Sequence, residues 1–323
     1  MNIVSADWLP YRLALKHPWQ TSQGCLTERR GRLLRLRSAD GRTGWGDCAP
    51  LPEFGIAEAS ATAFAEESAL LDLAAQRASL PLDAWLSGRA AADSIAVNAS
   101  LGAVSTLTDA TLESALATGY RVLKLKVGSA PWPSEIARLE ELSAILPAGA
   151  GFRLDANAAW NMTEAGDFLR ACRELPIESL EEPLTAPTAN GLRKLQELVD
   201  FALAIDESQH LVNADFFRQP PVRRLVLKPA RHGGLLRCMD LGLKAGAAGI
   251  DCIVTSSLES SCGLLACAHL AAAIAPGATH GLATADWLAE DTGQPLPLRA
   301  GRLHMPGTEG SGFVATLADS ATD

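Results

Sequence analysis

Val122-Leu123-Lys124-Leu125-Lys126-Val127-Gly128 alternates apolar and basic side chains residue by residue. A period of two marks a strand, with Leu123, Leu125 and Val127 on one face and Lys124 and Lys126 on the other. An exposed edge strand with its lysines in water would carry the same pattern. In a parallel strand of a barrel, helices cover the apolar face and the lysines point inward, about 7 Å apart, where each is expected to depress the other's pKa. The neighbouring segments decide between the two readings.

Asp155 closes Phe152-Arg153-Leu154-Asp155, Glu181 closes Ile177-Glu178-Ser179-Leu180-Glu181, Asp206 closes Ala202-Leu203-Ala204-Ile205-Asp206, and Lys228 closes Leu225-Val226-Leu227-Lys228. From Lys126 the steps are 29, 26, 25 and 22 residues, one strand-helix unit each. Five ionisable groups therefore end five successive strands, which places them together at the C-terminal mouth of a barrel. A single buried carboxylate would be satisfied by a structural ion pair. A ladder of five is poorly explained by stability alone.

Strand candidates recur at residues 95–99, 122–127, 152–156, 177–181, 202–206, 224–228, 250–255 and 278–282, with amphipathic helices between them, for example Ile136, Leu139, Leu142 and Leu146 on one face. Eight such units predict an α/β fold with a closed (β/α)8-type barrel over residues 93–285. Residues 1–92 read differently. Short alternating stretches, the hairpin dipeptide Asp40-Gly41, the motif Gly44-Trp45-Gly46-Asp47, a helix from Ile56 to about Gln76 and a short helix ending near Gly88 predict a separate α+β capping domain. Residues 286–323 contain no further unit and are expected to pack back on the cap.

Composition sets the class. The 323 residues are 48% apolar and 20% charged, as in a folded globular chain. With 28 Lys plus Arg against 37 Asp plus Glu, the net charge of −9 disfavours nucleic acid and anionic membrane as partners. The longest apolar run, residues 263–276, is too short to span a bilayer and contains His269. Residues 1–10 lack a basic region before an apolar stretch, so a cytoplasmic location without an export signal is expected. Seven scattered cysteines without a C-x-x-C pair, and six dispersed histidines, argue against a disulfide framework or a zinc site.

Any metal must then be held by carboxylates. Three carboxylates cannot converge in a barrel mouth unpaired, because burying even one ionised group alone costs several kcal/mol. A hard divalent cation resolves the cost, and oxygen-only ligands suit Mg²⁺, with Mn²⁺ as substitute. Lysines on the strands before and after the carboxylates flank the ion. That layout suits removal of a proton α to a carboxylate, with the metal stabilising the charge that develops. Spacing alone leaves Glu181 and Glu182 as alternative third ligands.

Together these segments resemble the enolase superfamily, in particular its muconate-cycloisomerase-like subgroup, whose K-x-K, D-x-N, E-x-P, D-E-S and K-P motifs fall on successive strands. The use of a lysine base with Mg²⁺ is a known property of that superfamily. The likeness covers nearly the whole chain and includes Gly44-Trp45-Gly46-Asp47 and Ala49-Pro50-Leu51-Pro52 in the cap. It implies a modified barrel under an α+β cap, with Asp155, Glu181 and Asp206 as metal ligands, Glu182 turned away, and Lys126, Lys228 and Lys124 as catalytic groups. Arg153 and Asn157 share the face of Asp155, where they either touch substrate or brace the metal ligand, and Thr255 and Ser257 are expected to touch substrate.

Within the subgroup the dehydratases are the nearer likeness, on Arg153-Leu154-Asp155-Ala156-Asn157 with Ala159-Trp160, Leu180-Glu181-Glu182-Pro183, Leu227-Lys228-Pro229 and Thr255-Ser256-Ser257-Leu258-Glu259-Ser260-Ser261. The Asp-x-Asp that dipeptide epimerases use to hold an ammonium is absent from Thr279-His280-Gly281-Leu282-Ala283-Thr284-Ala285-Asp286. The resemblance thus implies a metal-dependent lyase acting on a small carboxylate, with dehydration of a cyclohexadiene carboxylate as the leading reaction. Racemisation of an N-acylamino acid, dipeptide epimerisation and a non-catalytic binding barrel are the alternatives. No obligate protein partner is inferred. Specificity is expected from a loop over residues 16–26, from residues 51–55 and from the polar end of the seventh strand. His17, Trp19 and Trp45 are candidates either for the pocket or for the cap core.

Overall fold

The computed structural model describes residues 2–21 and 24–316. The cap opens with an antiparallel sheet in the order β1 (Ile3–Thr21), β2 (Gly24–Ser38), β3 (Thr43–Cys48). Asp40-Gly41 makes the predicted turn. Gly41 takes φ +87° and donates its N–H to the Ser38 carbonyl at 3.0 Å. Two helices follow, α1 (Glu58–Arg77) and α2 (Leu82–Ser87). The sheet lies so close to α1 that a Cβ at Gly46 would stand 1.9 Å from the Ala65 carbonyl oxygen and one at Gly44 2.2 Å from that of Ala69. The glycines of the Gly44-Trp45-Gly46-Asp47 motif are therefore packing residues that bring Asp47 over the rest of the molecule. Residues 16–26, expected as a loop, are largely the far end of the β1–β2 hairpin. Ser22 and Gln23 lie outside the described residues.

The second part strings strands and helices in alternation: β4 (Ser94–Val97), β5 (Ala99–Ala103), α3 (Asp109–Ala117), β6 (Val122–Lys126), α4 (Trp132–Ser143), β7 (Gly151–Asp155), α5 (Met162–Ala171), β8 (Ile177–Glu181), α6 (Ala189–Gln196) and β9 (Ala202–Ile205). After them come α7 (Ala214–Arg218), β10 (Arg224–Leu227), α8 (Pro229–His232), α9 (Leu235–Ala247), β11 (Asp251–Val254), α10 (Ser261–Ile274), β12 (Thr279–His280), β13 (Leu298–Arg299) and β14 (Arg302–His304). The parallel sheet has seven strands in the order β11-β10-β9-β8-β7-β6-β5. Leu123, Leu125, Phe152, Leu154, Leu180, Leu203 and Leu225 are wholly buried, as expected where helices cover one face of a parallel sheet.

Eight equal units were expected, and the first and last differ. The strand expected at residues 95–99 breaks at Asn98: β4 joins a four-stranded sheet with β12, β14 and β13, and β5 pairs with β6. The eighth strand is reduced to the two residues of β12, bridged to the end of β11 through Thr255 and Gly281. The seam is repaired by a side chain. His280 Nδ1 accepts the Val254 N–H at 3.1 Å, its Nε2 donates to the Ala275 carbonyl at 3.0 Å, and its carbonyl accepts the Asn98 N–H at 2.9 Å. Burial pulls the pKa of this imidazole down to about 4, so it serves as a neutral ring.

Beyond residue 285 the chain touches both parts. Ala289 donates to the Ala14 carbonyl at 2.8 Å, Ser311 N donates to Asp72 at 2.7 Å, and β14 pairs with β4. Phe313 packs on Trp45 at 5.6 Å between ring centroids, so Trp45 belongs to the cap's packing and not to the cavity described below. Residues 317–323 lie outside the described residues. Six of the seven cysteines are buried and all are free. Among the described residues no helix is long and apolar enough to cross a membrane.

Candidate active site

The mouth of the sheet, under the cap, encloses a cavity of about 720 Å³. Strand register builds one of its walls. Lys126, Asp155 and Glu181 are neighbours across β6, β7 and β8, and Asp206 and Lys228 stand just past the ends of β9 and β10. Asp155, Glu181 and Asp206 are all almost fully buried. Lys124 Nζ lies 3.0 Å from Asp155 Oδ2 and also pairs with Glu181. Lys228 pairs with Asp206, whose other oxygen accepts Arg231 Nη1 at 2.7 Å.

Electrostatics follows from these pairings. Burial alone would lower the pKa of Lys124, but Asp155, Glu181 and Asp206 together hold it above the usual lysine range. The expected depression of Lys124 by Lys126 is therefore not found, because the carboxylates outweigh the second ammonium. Burial raises Asp155, but Lys124, Glu181 and Lys126 together outweigh it and lower the carboxyl to about 2, so it stays ionised. Glu181 is pushed well up by burial and by the charges of Asp155 and Asp206. Asp206 is held below its ordinary value, Lys228 and Arg231 outweighing burial. Among the described residues Lys126 makes no hydrogen bond or ion pair, and it lines the cavity.

As placed, no three His, Cys, Asp or Glu side chains among the described residues converge on a point fit for a metal ion. The reason is visible in the pairings: an ammonium sits between Asp155 and Glu181, while Lys228 and Arg231 hold Asp206. The donor set itself is all carboxylate oxygen and matches a hard divalent cation. Glu182 is no competitor. Its carboxylate accepts Asp206 N at 2.7 Å, Ser208 N at 2.9 Å and Ser208 Oγ at 2.6 Å, bracing the end of β9.

The remaining candidates divide. Asn157, at φ +43°, lines the cavity, as do Thr255 and Ser257, whose hydroxyl oxygens are buried and have no hydrogen-bond partner. Arg153 does not reach the cavity, which corrects its assignment as a substrate contact. It is 1% exposed and donates to Glu178 at 3.0 and 3.2 Å, to Asn98 Oδ1 at 3.1 Å and to the Thr279 carbonyl at 3.0 Å. It shares the face of Asp155 but sits one layer deeper. Its partner Glu178 turns inward because β8 carries an extra residue opposite Phe152 and Arg153, a bulge that strand alternation does not anticipate.

His17 and Trp19 belong to the cavity, where Trp19 stacks on Phe54 at 4.9 Å. Three residues escaped the sequence reading. Glu135 is wholly buried in α4 and accepts the N–H groups of Gly128, Ser129 and Ala130 at 2.8 to 3.1 Å, fixing the loop behind Lys126. Arg231 ties Asp206 to the cap, donating to the Phe54 carbonyl at 2.7 Å. Glu207, in the cavity wall, is pushed up to about 7 by burial and by Asp206. A glutamate seven residues after Gly128, and an arginine one turn after Lys228, are the signals that were available. Asn157, Ala158, Glu182 and Leu258 all hold positive φ near the cavity, as at sites where the backbone serves function.

A family model described as Enolase C-terminal domain-like matches residues 107–319, the span that carries the ladder. The chain belongs to this family. The o-succinylbenzoate synthase of Yersinia pseudotuberculosis serotype O:1b (strain IP 31758) is 30% identical over 299 residues, covering 84% of this chain and 87% of that protein. Among solved structures, the L-Ala-D/L-Glu epimerase from Bacillus subtilis superposes with a TM-score of 0.88 at 23% identity, over 98% of this chain and 100% of the other. A dipeptide epimerase from Enterococcus faecalis V583, complexed with Mg and the dipeptide L-Leu-L-Tyr, gives 0.85 at 22% identity, over 97% and 99%. These likenesses establish for the family member described here a barrel enzyme architecture under a capping domain. The homologues are enzymes that act on small molecules, and they include both a synthase and epimerases.

Proposed function

We propose that the chain is an o-succinylbenzoate synthase, a lyase that dehydrates 2-succinyl-6-hydroxy-2,4-cyclohexadiene-1-carboxylate to 2-succinylbenzoate in menaquinone biosynthesis in the cytoplasm. The observation that carries this reading is the contrast between the charged and the uncharged parts of the cavity lining. Carboxylates and lysines line the cavity at the ends of β6 to β10, whereas Thr255, Ser257, Gly281 and Ala283, beyond β11 and β12, include no charge. A dipeptide's ammonium would have no carboxylate to meet there. A substrate arm that offers only acceptor oxygens would find the free hydroxyls of Thr255 and Ser257.

Asp155, Glu181 and Asp206 would hold Mg²⁺, or Mn²⁺ in its place, with Lys124 giving way to the ion. The cation supplies Lewis acidity that draws electron density from the substrate carboxylate. Lys126, free of partners, takes the α-proton on Nζ. The C–O bond to the ring hydroxyl breaks, and the Lys126 ammonium returns a proton to the departing oxygen, so water leaves and the ring becomes aromatic. Lys228, paired with Asp206, faces the planar intermediate without transferring a proton. Asn157 contacts the substrate at the rim.

Racemisation of an N-succinylamino acid remains the second reading, since Lys126 and Lys228 are also the pair it needs. Incubation with the cyclohexadiene and Mg²⁺ should remove the diene absorbance. Negligible dehydration together with efficient racemisation of N-succinylamino acids would overturn the proposal in favour of the racemase.

A further inference from the structure

The segment between β11 and α10, residues 255–260, carries the two unpartnered hydroxyls, and it is held in place from the cap. Leu258 sits at φ +62°, a left-handed conformation that a side chain of this size adopts rarely, so the turn needs external support. Arg29 of β2, 2% exposed, donates Nε to the Leu258 carbonyl at 3.0 Å. It anchors its other nitrogens on the cap carbonyls of Pro50 at 2.9 Å and Ala49 at 2.7 Å. Asp47 of β3, 1% exposed, accepts Ser260 N at 2.9 Å and Ser260 Oγ at 2.8 Å on one oxygen, and Tyr11 OH at 2.7 Å on the other.

Inside the segment Glu259 accepts Ser256 Oγ and Ser257 N, each at 2.7 Å, and Thr284 donates to Ser256 Oγ at 2.9 Å. Nearly every polar group of the turn is thereby committed to the protein. Thr255 Oγ1, Ser257 Oγ and Glu259 Oε1 are left buried without a partner, and Thr255 and Ser257 line the cavity. The fit is tight on the barrel side as well: a Cβ at Gly263 would stand 2.8 Å from Asp47 Oδ2. A deeply buried carboxylate is a costly way to hold one turn, and an apolar contact would have served packing alone.

We infer that Asp47 and Arg29 are positioning residues through which the cap sets the placement of Thr255 and Ser257, and so the affinity for an oxygen-bearing substrate arm. This deepens the proposed function and rests on it for the identity of that arm. The Gly44-Trp45-Gly46-Asp47 motif is then a specificity element acting from outside the cavity. Loss of a hydrogen bond to a charged group is worth about tenfold or more, so Asp47→Asn should raise KM for the diene about tenfold with kcat little changed.

The deciding measurement is a double-mutant cycle of Asp47→Asn with Ser257→Ala, read on KM and kcat separately, with circular dichroism confirming the fold. If Asp47 acts through Ser257, its effect on KM largely disappears in the Ser257→Ala background. An equal effect in both backgrounds, or a loss confined to kcat, overturns the inference and leaves the dehydratase reading intact. Should the wild type racemise N-succinylamino acids and not dehydrate the diene, the same cycle on that reaction decides the inference independently. If Asp47→Asn does not fold, Ser260→Ala takes its place in the cycle: a raised KM that is non-additive with Ser257→Ala supports the inference, and an unchanged KM overturns it.

Discussion

Two charged layers lie inside the same barrel, sharing β7, β8 and β10, and they behave oppositely. The deeper one joins Arg153, Glu178 and Arg224, with Asn98 and the Thr279 carbonyl completing the bonds of Arg153. The upper one joins Lys124, Asp155, Glu181, Asp206, Lys228 and Arg231, with Lys126 left unpaired beside the cavity. Ala204, Val226 and Ile253 form a small apolar cluster between the levels on one side. Arginine dominates below, where fixed acceptors satisfy the planar fork of Arg153 although Arg224 Nε is left without one, and Arg153 and Arg224 hold Glu178 ionised down to about 2 against burial. Lysine dominates above, where a point charge on a flexible stem can exchange a carboxylate for a metal or a proton.

The contrast is open to direct attack. The largest effect is expected at Lys126: replacement by Ala should remove dehydration by about 10² to 10⁴-fold, the usual worth of a general acid–base group, and should also abolish α-proton exchange with solvent. Full activity in Lys126→Ala would place the base elsewhere and break the assignment of the upper layer. Asp206→Asn, Asp155→Asn and Glu181→Gln should each suppress turnover and Mg²⁺ binding by calorimetry while leaving the circular dichroism spectrum intact. Chelation of the wild type should do the same, reversibly on adding Mg²⁺ or Mn²⁺. An active Asp206→Asn would contradict the ligand set.

The lower layer should fail in the other way. Arg153→Met strips Glu178 of one of its two guanidinium partners, and breaking a buried pair from one side costs about 3–5 kcal/mol. Denaturant midpoints should fall accordingly, while KM and kcat per folded molecule stay near the wild-type values. Lost turnover at unchanged stability would return Arg153 to the substrate. The smallest effect is reserved for Lys228→Arg, which keeps the cation but cannot act as a base. Measurable dehydration should survive it and should fall further in Lys228→Ala. A dead Lys228→Arg with an exchange-competent wild type would move the balance to the racemase.

Much of this was legible without coordinates. Alternation in residues 122–128, and an ionisable residue closing each of the next four strands, are local patterns. Period two together with one unit per step placed Lys126, Asp155, Glu181, Asp206 and Lys228 at one mouth. The hairpin at Asp40-Gly41 and the α1 and α2 helices were likewise written in turn chemistry and propensity. The tertiary structure alone decided depth and partnership. Alternation reports which face a side chain takes but not its level, so Arg153 and Asp155 looked alike until register and the bulge at Glu178 separated them. The break at Asn98, the two-residue β12 and the His280 seam depend on how a sheet closes on itself, a global condition that no single strand encodes. The hold of Asp47 and Arg29 on residues 258–260 spans more than two hundred positions of chain, and only folding brings those groups within hydrogen-bond reach.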